Sequence, residues 1–178
     1  MRGEPVRQEI IDVALGEYYQ QFREYLIESE YFPNPDSAPE METRFCIPKT
    51  FYGPDSGHLN FVESDICLNL MSYVFFSELF EKGEIEKVGP VPVDDFIKRQ
   101  MACYIDHVDQ DFKSTINPRD FYGRISLGEQ RVRSSGTGRG LCPFSFYDVD
   151  KGKFTGKIGF FLSIKPSSEG KLPPLESI

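Results

Sequence analysis

The chain has 178 residues, a formal net charge of −8, and 39% hydrophobic and 14% aromatic residues. That is about one domain with apolar material for one substantial core. The acidic balance argues against nucleic acid as a partner. No stretch approaches the ~18 uninterrupted apolar residues that a membrane span needs. Two histidines and four scattered cysteines lend little support to a metal site. Cys46, Cys67, Cys103 and Cys142 form no C-x-x-C pair and read as reduced core residues. The charged N-terminus lacks the apolar run of a secretory signal, so a cytoplasmic location is expected. Neither a metal nor another cofactor is expected.

Taken in chain order, Val6, Ile10, Ala14, Tyr18 and Phe22 fall on one helical stripe, and periodicity alone extends that helix to Ser29. Pro33 and Pro35 then open a loop over 33–40. Residues 42–52 mix β-formers with Pro48, which suits an edge or bulged strand. Gly53 to Gly57 form a turn cluster. The strongest element follows over about 60–82, apolar almost all round, and such a helix is buried rather than laid on a surface. Asn60 is a good N-cap, Glu63 completes a capping-box pair, and Lys82-Gly83 closes the helix.

A short helix capped by Asp94 is expected over 92–100, then four β-rich stretches at 101–113, 119–134, 139–148 and 154–164. Asp148 to Gly152 is a hairpin signal between the last two. The tail 165–178, rich in Pro, Ser and Gly, reads as flexible, which leaves one domain over 1–164. One apolar helix followed by a run of antiparallel strands predicts an α+β fold. A sheet wrapped around that helix gives it apolar cover on most sides, which is the hotdog arrangement.

Chemistry concentrates at Tyr52-Gly-Pro-Asp-Ser-Gly57-His58-Leu-Asn60-Phe-Val-Glu63. This run sets a phenol, an imidazole, an amide and a carboxylate around a helix N-terminus, where free N–H groups and a partial positive charge can polarise a carbonyl. His58 suits general acid–base work and Tyr52 can donate a hydrogen bond. On the residues alone, Asn60 and Glu63 read equally well as a cap and His58 as a satisfied loop residue. Residues 124–157 carry 7 Lys+Arg against 3 Asp+Glu. This basic segment could dock a coenzyme phosphate or an acidic carrier protein, with Arg131 and Arg133 as docking candidates, or could be solvated surface.

From Phe45 to Tyr73, the pattern of Tyr52, Gly57-His58, Asn60, Glu63, Cys67, Asn69 and Tyr73 resembles the signature of the FcoT-like thioesterases, a hotdog family. The likeness continues through Val93 to Phe96, Asn117-Pro118, Phe121, Arg124 and Gly156 to Ile158, covering about residues 20–164. The resemblance implies a strand over Glu24 to Phe32 in place of a longer helix. It also implies a homodimer or higher oligomer with interfacial sites, and an acyl tunnel beside the long helix.

Two chemistries are implied by the resemblance: hydrolysis of fatty acyl thioesters, and conjugate addition of glycine to a (2E)-enoyl thioester on an acyl carrier protein or coenzyme A. For addition, His58 is the expected base, while Tyr52 and Asn60 hold the carbonyl oxygen and Arg124 grips the glycine carboxylate. Gly57, Asn69, Tyr73 and Phe75 are expected to contact the acyl substrate. For hydrolysis, Glu63 is the first candidate carboxylate and Asp65 the second. A dehydratase using His58 and Glu63, and a non-catalytic module that binds an acyl chain or acyl carrier, complete the alternatives. Glycine addition to a medium-chain enoyl thioester is the expectation carried forward.

Overall fold

The computed structural model describes residues 3–16, 19–33, 37–50, 56–85, 87–92, 103–133 and 137–163. Its spine is α2, Phe61–Lys82, with 22 residues and so about 33 Å of length at ~1.5 Å per residue. The helix starts at Asn60, whose side chain accepts from the Glu63 N–H. It stops at Gly83, whose φ of 71° lies in the left-handed region and whose N–H reaches the Leu79 and Phe80 carbonyls. Leu68, Leu70, Met71, Val74, Phe75, Phe76, Leu79 and Phe80 are all at most 2% exposed, so apolar cover reaches well beyond one stripe.

That cover comes from an antiparallel sheet of eight strands: β1 (Glu4–Pro5), β2 (Leu26–Phe32), β3 (Glu40–Phe45), β4 (Cys103–Phe112), β5 (Phe121–Ser126), β6 (Gln130–Val132), β7 (Thr137–Tyr147) and β8 (Lys153–Ser163). Their order is β1-β2-β3-β5-β7-β8-β4, and β6 pairs β7. Strand alternation sends Met41 and Phe45, Phe121 and Ile125, Phe144 and Phe146, and Phe154 and Ile158 inward onto the helix. Phe45, Phe121 and Phe146 form a ring cluster with centroids 5.4–5.9 Å apart. Gly123 sits at a close approach of α2 to the sheet. A Cβ there would stand 2.7 Å from Phe146 and 2.9 Å from the Met71 sulfur. The helix α1 (Gln8–Leu15) closes over α2 through Ile10, Ile11, Ala14 and Leu15.

Several local expectations are corrected. The N-terminal helix ends at Leu15, and Gln20–Tyr25 is a separate 3-10 turn leading into β2, so the strand implied for Glu24 to Phe32 begins at Leu26. Gly16 at φ 39° breaks the run that periodicity extends. β3 stops at Phe45, three residues before Pro48, and 119–134 divides into β5 and β6. The hairpin at 148–152 forms, with Asp148 accepting from the Gly152 N–H at 2.7 Å. Cys67 and Cys142 are buried free thiols and Cys46 is half-buried and free. The helix expected at 92–100 and the tail lie outside the described residues.

One flank of α2 is left partly uncovered. Phe61 and Val62 are 56% and 46% exposed, and Asp65, Ile66, Asn69 and Tyr73 are half-buried. Beside them runs β4, the edge of the sheet. Val108, Gln110 and Phe112 face the helix side, because they pair with the inward residues Ile158, Gly156 and Phe154 of β8. Val108 and Phe112 remain 37% and 43% exposed. The result is an apolar-rimmed cleft between the first turns of α2 and a strand that, among the described residues, is paired along one edge alone.

Candidate active site

The helix start is built by short-range chemistry. Gly57, at φ 72°, makes the left-handed turn that delivers His58 to the surface. The Ser56 carbonyl lies 2.9 Å from the His58 Nδ1, and the Ser56 hydroxyl donates to the His58 carbonyl at 2.9 Å. A carbonyl can only accept, so Nδ1 carries the hydrogen of that bond, and proton exchange with a substrate falls to Nε2. Leu59 behind it is 2% exposed and donates its N–H to Ile116, anchoring the turn to the body of the fold.

Glu63 is placed differently from a nucleophile or water-activating base. It is 1% exposed. One carboxylate oxygen accepts from the Thr50 hydroxyl at 2.6 Å and the other from the Asn60 N–H at 3.4 Å. Asn60 returns a bond to the Glu63 N–H at 3.1 Å, so the pair is a reciprocal capping box with Thr50 as a third member. Cys67, one turn further, is fully buried, and desolvation holds its thiol well above the ordinary range, so it is no thiolate nucleophile.

The capping role has a measurable consequence. Glu63→Ala leaves Thr50 without its acceptor and opens the cap, at a cost of about 1–3 kcal/mol. Thermal denaturation should register that loss. Activity per folded molecule should survive, and its disappearance at full folding would return Glu63 to the chemistry.

Other candidates divide by location. Asn69 and Tyr73 stand on the open flank of α2; Asn69 donates to the Asp65 carbonyl at 2.8 Å and Tyr73 packs on Tyr19 with centroids 5.1 Å apart. Asp65 lies between them and the helix start, and its carboxylate accepts from the Gln110 amide of β4 at 2.5 Å. Phe75 is corrected. It is wholly buried between Tyr31 and Phe76, filling core rather than lining an open tunnel. Tyr52 lies outside the described residues.

Arg124 is corrected too. Phe121, Gly123 and Ile125 of β5 face α2, so strand alternation turns Arg124 to the opposite face. There its guanidinium donates twice to one Glu42 oxygen, at 2.5 and 3.2 Å, and the Tyr147 hydroxyl donates to the same atom. The Glu42 bond raises the Arg124 pKa further, so the guanidinium stays charged. Within this chain, Arg124 and His58 are not brought together.

Arg131 and Arg133 flank a groove of about 510 Å³ that Lys87, Arg139 and Phe161 also line. Lys87 follows the end of α2 and donates to the Val132 carbonyl at 3.0 Å. The basic groove therefore lies at the opposite end of α2 from His58. Among the described residues, no group of three or more His, Cys, Asp or Glu is arranged to hold a metal. No helix among them is long and apolar enough to cross a membrane.

Residues 14–162 match the family model for the FcoT-like thioesterase domain. The chain belongs to the FcoT-like thioesterase family. Proteins of Mycobacterium bovis and Mycobacterium tuberculosis named (2E)-enoyl-[ACP] glycyltransferase are each 27% identical to it over 158 residues, covering 86% of this chain and 85% of theirs. A protein of the same name from Streptomyces coeruleorubidus is 28% identical over 144 residues, 78% of this chain and 87% of its own. The crystal structure of a Lactococcus lactis protein described as a thioesterase, yhdA, superposes with a TM-score of 0.51 at 9% identity, over 82% of this chain and 98% of that one. That likeness establishes the hotdog fold. Family and relatives together make this FcoT-like chain a hotdog enzyme.

Sequence reasoning had no signal for Thr50 or Gln110 in this FcoT-like site. Thr50 reaches Glu63 across 13 residues and Gln110 reaches Asp65 across 45, and neither spacing belongs to a local motif. Only the placement of β4 beside α2 reveals the second pair.

Proposed function

We propose that this FcoT-like protein adds glycine by conjugate addition to a medium-chain (2E)-enoyl thioester carried on an acyl carrier protein, giving an N-carboxymethyl-3-aminoacyl product. The carrying observation is the state of the helix start. An exposed imidazole stands there with its Nδ1 on the Ser56 carbonyl, while the adjacent carboxylate is buried with both oxygens bonded. That arrangement favours proton movement over nucleophilic attack on the thioester. The names of the relatives across most of the chain point the same way.

In this reading His58 takes a proton from the glycine ammonium, and the nitrogen lone pair forms a bond to Cβ of the enoyl group. The π electrons shift towards the thioester oxygen, and a proton then returns to Cα. The N-terminus of α2, with Asn60 and Tyr52, stabilises the enolate oxygen. The acyl chain lies along the cleft between Phe61, Val62, Val108 and Phe112. Arg131 and Arg133 receive the carrier. A homodimer formed by antiparallel pairing of two β4 edges would bring the basic groove of one copy towards the α2 N-terminus of the other. The ten-residue open edge and its exposed apolar neighbours support that assembly.

Hydrolysis is the second reading, favoured by one observation: Asp65 is half-buried on the open flank and could direct a water. Mass spectrometry of a (2E)-enoyl-ACP incubated with the protein, with and without glycine, decides. A glycine-dependent gain of one glycine on the acyl chain is expected. Release of free acid without glycine would establish the hydrolase, and an unchanged acyl-ACP would leave a binding module.

A further inference from the structure

The cleft beside α2 contains one polar atom that the fold leaves unsatisfied. Gln110 projects from the helix-facing side of β4, and its amide nitrogen donates to Asp65 Oδ1 at 2.5 Å. That bond fixes the orientation of the amide, because the reversed amide would set two acceptors against each other. The Gln110 Oε1 is consequently turned elsewhere. It is buried and, among the described residues, has no hydrogen-bond partner. Folded proteins satisfy roughly 90% or more of such groups, so a buried acceptor without a donor calls for one supplied from outside the fold.

The surroundings define that donor. A carboxylate lies within hydrogen-bond distance of the same amide, so the incoming group suits a negative charge and an amide oxygen together. Phe61 and Val62 stand four and three residues before Asp65 on the helix, and Val108 and Phe112 lie two residues either side of Gln110 on the strand. The pair is thus a polar island in an apolar cleft. A compact cation with several N–H groups satisfies both acceptors at once, which an alkyl chain or a thioester cannot do.

We propose that Asp65 and Gln110 form the subsite for the ammonium group of the amine substrate, Asp65 pairing with its charge and Gln110 Oε1 accepting a second N–H. The assignment rests on the glycine-addition reading and gives the ammonium end of glycine a site, which that reading had not placed. It also gives Asp65 a role other than water activation. A primary ammonium bound here is held beside the apolar strip assigned to the enoyl chain, so the nitrogen is positioned next to its acceptor carbon.

The test separates KM for glycine from KM for the enoyl thioester in Asp65→Asn and Gln110→Leu, with thermal melts to verify folding and Asp65→Glu as the charge-conserving variant. Loss of a charge-assisted bond predicts a rise of roughly 10- to 100-fold in KM for glycine. KM for the enoyl thioester should move less than about twofold, and Asp65→Glu should recover part of the glycine affinity. Equal effects on both substrates, or an unaltered KM for glycine in folded variants, would overturn the subsite while leaving glycine addition standing. A wild-type protein that forms no glycine adduct would overturn the addition reading, and the subsite with it.

Discussion

His58→Ala should lower turnover by roughly 10²- to 10⁴-fold, the usual contribution of a positioned general base or acid. The fold should be unaffected, because His58 is exposed and its recorded bonds stay within the turn from Ser56 to His58. Surface changes of that kind usually stay within about 0.5 kcal/mol. His58→Gln makes the sharper comparison. It retains a hydrogen-bonding side chain but cannot carry a proton, so it should fail as badly as alanine. Turnover of the (2E)-enoyl-ACP with glycine, measured beside a thermal melt, separates the cases. Wild-type rates in either variant would remove His58 from the mechanism.

The second large effect concerns stability. Gly123→Ala should destabilise the protein by about 1–3 kcal/mol, the usual cost of overpacking a tight core. In a domain of this size that is a fall in Tm of roughly 2–4 °C per kcal/mol. The new methyl group would meet the Met71 sulfur at 2.9 Å and the Phe146 ring at 2.7 Å, forcing α2 away from the sheet. Met71→Ala opens the same space from the helix side. The double variant should therefore be more stable than the sum of the single losses, because each change relieves what the other creates. Strict additivity in the melts would mean that α2 and β5 are not in close contact here.

The sequence announced α2 and its capping box, because a nearly all-round apolar run between Asn60 and Gly83 carries local signals at both ends. The last hairpin was equally readable, since Asp148 to Gly152 carries turn residues between two β-rich runs, whereas 119–134 read as one stretch and forms two strands. The first helix was overextended. Its stripe continues to Phe22, but Gly16 breaks the backbone, and Phe22 reaches the core from a 3-10 turn instead. At the site, His58, Asn60 and Glu63 are neighbours along the chain and were found together. Roles that depend on tertiary placement were not available from sequence. Around Arg124, the alternation of Phe121, Gly123 and Ile125 is compatible with an outward strand arginine, but nothing there names Glu42 and Tyr147 as its partners. Nothing around Gln110 says that it meets Asp65. Phe75 was expected at an acyl tunnel that the family resemblance implies, whereas Tyr31 and Phe76 pack against it in the core.

The sheet order has a consequence for how the chain is made. The last strand, β8, lies between β7 and β4, so those two strands have no link until residues 153–163 leave the ribosome. By then α2 has long been synthesised, with its apolar surface waiting for strands encoded later. A nascent chain halted before β8 would hold two strands with open edges and would leave Phe76 of α2 without its Phe160 partner, a state prone to aggregation and chaperone capture. Pairings between segments so distant in sequence also close slowly. For this protein, commitment to the native sheet waits for β8.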